Sequence, residues 1–367
     1  MDFLNFKGYS LWINIAVFVV AAAVVWLAGA RLSRYATTIS DRTGIGKAFI
    51  GLVLLGGITS LPEVATSITA SWSGNAALAV NNLLGGVAMQ VAVLVLADAA
   101  IGRDALTSVI ARPGVLLQGA LGVLLLVLVI AGITVGEVPV FGVGGWSVGI
   151  LVLYFLSVWL IAQYGARETW AAADRREAPG RAEKQGSRKR KDGEHRQGEN
   201  ADDSGRGAES PSLGRTVLKT VIAGLAILIA GFLVARTGDA IAAKTGLGSS
   251  FVGAVFVAIA TSLPEISTVL SAMRLRQYEM AISDIFGTNL FDLVLIFVVD
   301  VVYVGGLVLD EVGRFSSFAA LLGIAVTTIY IVGLIERKDR TMLRMGGDSV
   351  AVLGVYIGGL VILYTLR

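Results

Sequence analysis

The chain has no cysteine and one histidine, His195, among 367 residues. No disulfide, thiolate nucleophile or His/Cys metal centre can be built from that stock. Charge is also scarce. Asp, Glu, Lys and Arg make up 16% of the chain, where soluble domains carry about a quarter. No Gly-x-x-x-x-Gly-Lys-Ser/Thr loop occurs, so nothing points to ATP as a driver. The basic residues lie between apolar runs without interleaved aromatics, which argues against nucleic acid as a partner. Prolines number six, so those inside apolar runs stand out. What is plentiful is apolar surface, at 55% of residues, and glycine, with 45. That is the composition of a membrane protein, in which glycine lets helices approach closely.

About 20 apolar residues cross a bilayer. Ten such stretches are predicted, at 10–30, 46–71, 76–101, 112–133, 144–164, 214–235, 249–273, 278–304, 315–335 and 347–366. The first is too long for a signal-peptide core and lacks a basic start before it, so it is read as a permanent span. Lys and Arg concentrate in alternate connections. They include Arg31, Arg34, Arg42 and Lys47 in the first, Arg103 and Arg112 in the third, and Arg274 and Arg276 in the seventh. Arg337, Lys338, Arg340 and Arg344 mark the ninth, and the long segment 165–213 holds many more. Arg236 and Lys244, in the sixth connection, and Arg314, in the eighth, are the weak exceptions. Because basic loops stay in the cytoplasm, the odd-numbered connections are cytoplasmic and both termini extracytoplasmic. The protein is thus expected in the cell membrane, with the lipid bilayer as its surroundings. Residues 165–213 are polar and nearly free of large apolar side chains, as a disordered cytoplasmic linker would be.

Across this linker one phrase is repeated. Thr59-Ser60-Leu61-Pro62-Glu63 recurs as Thr261-Ser262-Leu263-Pro264-Glu265, 202 positions on (265 − 63 = 202). The match runs without a gap from Thr43/Thr245 through Gly85/Gly287 to Asp98/Asp300, so the repeats cover about 43–98 and 245–300. Five spans precede the linker and five follow it. The second copy therefore enters the membrane from the opposite side. The expected fold is all-α, with ten transmembrane helices arranged as two inverted five-helix repeats, 1–164 and 214–367.

A proline and a glutamate in mid-span need an explanation. Ser60-x-x-Glu63 and Ser262-x-x-Glu265 fit a capping box, the purely structural reading. Yet each proline also lacks an N–H and frees a carbonyl of the preceding turn, which lipid tolerates only beside protein or a wet cavity. Broken helices in inverted halves, each with an intramembrane acid, form the midplane site of a secondary transporter. The next span adds Asp284, Thr288 and Asp292 on one helix face. The same offsets in the first half give Asn82, Gly86 and Gln90. Carboxylates, hydroxyls and amides make an all-oxygen set suited to hard inorganic cations, Ca²⁺ above all. Asp98 and Asp300, near span ends, are read as structural.

These residues resemble the calcium/cation antiporter superfamily, in its sodium/calcium exchanger branch with prokaryotic members. Gly57 to Glu63 and Ala260 to Glu265 look like its two repeat signatures. Ile285-Phe286-Gly287-Thr288-Asn289-Leu290-Phe291-Asp292 resembles its Gly-Ser-Asn-x-Phe-Asn/Asp element. The resemblance implies alternate binding of Ca²⁺ and Na⁺ by Thr59, Ser60, Glu63, Thr261, Ser262, Glu265, Thr288 and Asp292, with Gln90 as the first-half counterpart of Asp292. It implies an antiporter, not an enzyme, whose ions are cargo and which needs no cofactor. The first half departs from the pattern at Gly85-Gly86-Val87-Ala88-Met89-Gln90, where a hydroxyl and an amide are missing. Calcium export against Na⁺ is the leading expectation. Coupling to H⁺, or transport of another divalent ion, is the alternative that this departure motivates. An intramembrane carboxylate hydrolase is a distant third, because such chemistry does not require inverted, proline-broken repeats.

Overall fold

A computed structural model describes residues 5–43, 59–101, 113–165, 213–274, 278–336, 341–342 and 345–367. Lipid offers backbone N–H and C=O groups no partner, so a chain of long apolar runs satisfies them within helices. In chain order these are α1 (Leu11–Thr43), α2 (Leu61–Trp72), α3 (Ala76–Ile101), α4 (Pro113–Val135) and α5 (Gly145–Gly165). The second half supplies α6 (Leu213–Thr245), α7 (Ser249–Thr261), α8 (Leu263–Arg274), α9 (Tyr278–Val302), α10 (Arg314–Glu336) and α11 (Gly347–Leu366). Among the described residues eight helices are long and apolar enough to span a membrane. The bent pair α7–α8 makes nine. The first half of the predicted span 46–71 lies outside the described residues, as do most of the linker 165–213 and the Arg103/Arg112 connection.

The 202-residue offset governs far more than the sequence repeat. α1 and α6 are offset by 202 at both ends (213 − 11 and 245 − 43), as are α2 and α8 (263 − 61 and 274 − 72). Two small antiparallel hairpins obey it too. β1 (Pro139–Val140) pairs with β2 (Val143–Gly144), and β3 (Thr341–Met342) with β4 (Met345–Gly346). Helix ends correct two sequence boundaries. α1 and α6 run well past 30 and 235, so Arg236 and Lys244 belong to a helix, and the true sixth connection has no basic residue.

Contacts between elements exchange in the same way. α2 packs on α6 and α8 on α1; α3 meets α10 and α11, while α9 meets α4 and α5. The two halves therefore share one core rather than building two. Its axis is α3, largely apolar and almost wholly buried, with Asn82 and Gln90 among its buried side chains. α9 lies beside it, while α5 and α11 turn most of their surface outward. Outward side chains such as Val20, Ile229, Phe155 and Val361 are apolar, as a lipid-facing shell requires.

Candidate cation site

Both repeated phrases start a helix at a break. Ser60 (φ −81°, ψ 9°) and Ser262 (φ −84°, ψ 11°) leave the helical region, and α2 and α8 begin at the next residue. Ser60 makes no side-chain capping bond, so the capping-box reading fails there. Between α7 and α8 the axis turns by 47°. Just upstream, Val252–Val257 widens into a π-helical stretch, a distortion common at functional sites. The sequence carried no signal for it.

The two breaks bring their polar groups together in the shared core. Thr59, Ser60, Glu63, Thr261, Ser262, Glu265, Gln90, Thr288 and Asp292 are each 1% exposed or less. Ser262 Oγ donates to Glu63 Oε1 at 3.3 Å. Gln90 Nε2 donates to Ser262 Oγ and to Asp292 Oδ2, both at 3.2 Å. Glu63, Ser262, Gln90 and Asp292 thus form one chain of contacts across the interface between halves. Glu265 lies within the electrostatic reach of Glu63 and Asp292. Thr288 is one turn before Asp292 on the same face.

Most of these oxygens are not spent on the protein itself. Ser60 Oγ, Glu63 Oε2, Gln90 Oε1, both carboxylate oxygens of Glu265, Thr288 Oγ1 and Asp292 Oδ1 are buried without a hydrogen-bond partner. Buried polar atoms are ordinarily paired, and each exception calls for a cause. Among the described residues, however, no three acidic or histidine side chains gather on a single point. Glu63 and Asp292 are instead joined through the Ser262–Gln90 contacts.

Asn82, part of the first-half polar stripe, has a larger role than the stripe alone suggested. Its amide donates to Thr66 Oγ1 (3.2 Å) and Ser67 Oγ (3.3 Å) and accepts from Thr261 Oγ1 of the other half at 3.3 Å. Gln118, a lone amide in an apolar run, was missed. It accepts from Ser283 Oγ at 3.0 Å. Asp300 is structural, as expected: its carboxylate accepts from Gly144 N at 2.6 Å and Val308 N at 2.7 Å.

Comparison with known proteins matches residues 13–165 and 216–365 to the family described as sodium/calcium exchanger protein. The chain belongs to that family. Its two matched segments flank the same linker that divides the repeats, and the family is one of membrane exchangers. The inner membrane protein YrbG of Escherichia coli is 26% identical over 284 residues, covering 77% of each chain. CaxA of Alkalimonas amylolytica is 25% identical over 336 residues, covering 89% of this chain and 92% of that one. Among solved structures, the sodium-calcium exchanger NCX_Mj aligns over 96% of this chain and 99% of its own, with a TM-score of 0.58 and 16% identity. The H⁺/Ca²⁺ exchanger CAX aligns over 96% and 85%, with a TM-score of 0.65 and 13% identity. At such identities the structural likeness establishes the exchanger fold and nothing finer.

Proposed function

We propose that the protein exports Ca²⁺ in exchange for Na⁺ by alternating access, with ions held between the two broken helices. The observation that carries this reading is the set of seven buried oxygens lacking partners: Ser60 Oγ, Glu63 Oε2, Gln90 Oε1, Glu265 Oε1 and Oε2, Thr288 Oγ1 and Asp292 Oδ1. Ca²⁺ takes about 6–8 oxygen ligands in a flexible shell, which such a set supplies once the side chains draw in around the ion. Ser60, Ser262, Thr59 and Thr261 stand at the breaks themselves and would complete the shell from hydroxyl or backbone oxygens. Three carboxylates, when ionised, leave room for one divalent ion or for several monovalent ions in its place. Competition between those two loads for one site is what exchange requires. The two halves are inverted in the membrane, so rocking one against the other exposes the site to each side in turn. The family's exchangers, and the inner-membrane location of YrbG, support a place in the cell membrane. The pattern of Lys and Arg puts both termini outside and residues 165–213 in the cytosol.

A second reading, exchange of Ca²⁺ for H⁺, is favoured by one specific observation. At Gly86, beside Asp292 and Ser262, the first half offers no side-chain oxygen, while sodium sites draw on neutral oxygens. Purified protein in liposomes separates the two. Calcium uptake should follow an imposed sodium gradient and ignore a pH gradient; the opposite result selects H⁺. In the same assay Glu63→Gln and Glu265→Gln should each lower calcium affinity at least about 30-fold, since losing a buried charged partner costs roughly 2 kcal/mol or more. Undiminished flux in the double variant would remove the site from consideration.

A further inference from the structure

The repeat pairs Asn82 with Asp284 (284 − 82 = 202), and their partners Thr66 and Thr268 are equivalent as well (268 − 66 = 202). Both pairs are bonded, Asn82 Nδ2 to Thr66 Oγ1 at 3.2 Å and Thr268 Oγ1 to Asp284 Oδ2 at 2.7 Å. An amide therefore suffices for the structural bond at this position. The charge on Asp284 is surplus to that task.

The two surroundings also differ. Asn82 is 1% exposed and knitted to Thr66, Ser67 and Thr261, which closes its side of the site. Where the first half has Ser67, the second has Val269, so no equivalent second hydroxyl meets Asp284. Asp284 is enveloped by protein yet keeps part of its surface open, along with Ser267, Thr268, Ser283 and Gly287 around it. In a membrane helix an ionised carboxylate facing hydrocarbon is costly, so keeping Asp284 charged would require a hydrated crevice on this partly open side. Deeper in the core stands Glu265, whose two carboxylate oxygens are buried without partners and which feels the charge of Asp284. Asp284 lies six residues into α9, just after the connection bearing Arg274 and Arg276, which the loop charges assign to the cytosol.

We propose that Asp284 is a cytosol-side positioning residue, a fixed charge in an entry crevice that concentrates divalent cations and passes them to Glu265. This rests on the antiporter reading above. A low-dielectric crevice of one sign focuses field and raises local ion concentration and on-rate, by about tenfold or more. Asn82, its neutral counterpart, gives the closed outer side no such attraction.

The test uses the full-length protein in vesicles of known sidedness, with the calcium dependence of flux measured separately at each face. Asp284→Asn should raise KM for calcium about tenfold at the cytosolic face, leave it unchanged at the outer face, and leave kcat near wild type. Added salt should weaken cytosolic calcium affinity more in wild type than in the variant. Asp284→Glu should restore the low KM. Thr268→Val, which removes the hydrogen bond but keeps the charge, should stay near wild type. An equal KM change at both faces, a fall in kcat alone, or no change would overturn the inference. Wild-type vesicles without calcium flux would instead overturn the antiporter reading, and this inference with it.

Discussion

A Cβ added to Gly86 would stand 3.9 Å from both Asp292 Oδ2 and Ser262 Oγ, ordinary van der Waals distances. The position has room for a serine, whose hydroxyl would add a neutral oxygen beside Asp292. Gly86→Ser should therefore fold normally and lower the sodium concentration for half-maximal exchange about fivefold, the worth of roughly 1 kcal/mol for one added polar contact. Sodium titration of calcium flux reads this directly. An unchanged half-saturation would place Gly86 outside the sodium path. At this scale the sequence was informative wherever a polar residue breaks an apolar run. Glu63, Glu265, Gln90 and Asp292 could all be named from it. Asn82 could be named but not its bridge to Thr261, because a hydrogen bond between residues 179 apart depends on how the halves meet.

Elements are held together by close approach at equivalent points. A Cβ on Gly29 of α1 would lie 2.5 Å from Pro264 Cγ of α8, and one on Gly231 of α6 would lie 2.5 Å from Ala65 Cβ of α2. Neither neighbour is the far end of a flexible side chain. Gly29→Ala and Gly231→Ala should thus each cost about 1–3 kcal/mol through overpacking. A lowered melting temperature in detergent, with transport falling in parallel, is the expected result.

The β1–β2 hairpin is anchored by acids. Glu137 accepts from Trp146 N at 3.0 Å and Ser147 Oγ at 3.3 Å, while its own N–H donates to Asp310 Oδ1 at 2.8 Å. Burial, offset by the Trp146 N–H, and the charges of Asp300 and Asp310 hold the Glu137 carboxyl above the usual glutamate range. Because the folded state binds this proton more readily, the contribution to stability is full below the ordinary glutamate value. It is lost as pH rises through the raised value. Relative to wild type, Glu137→Gln should flatten the fall in melting temperature over that window. Parallel melting curves across pH would show that Glu137 does not titrate differently in the folded state.

For the whole molecule, the exchange of contacts has a mechanical consequence. α2 packs on α6 and α8 on α1, so each half contributes part of the other's core. Neither half buries its polar break alone, and an unpaired glutamate in lipid is costly. A chain cut within the linker 165–213 should therefore reassemble when residues 1–164 and 214–367 are coexpressed, and each half alone should not accumulate in the membrane. Copurification of the halves with retained calcium flux is the readout.

By itself the sequence determined that this is a helical membrane protein with a duplicated, proline-broken acidic phrase. Hydropathy, proline chemistry and the 202-residue offset are local properties that need no partner to be read. Tertiary structure alone decided how far the repeat extends, down to the paired hairpins. It also decided that the two phrases meet, with Ser262 bonded to Glu63, and that Asn82 is buried while Asp284 is partly exposed. Those depend on packing between segments some 200 residues apart, and chain order does not encode which of two equivalent positions is buried.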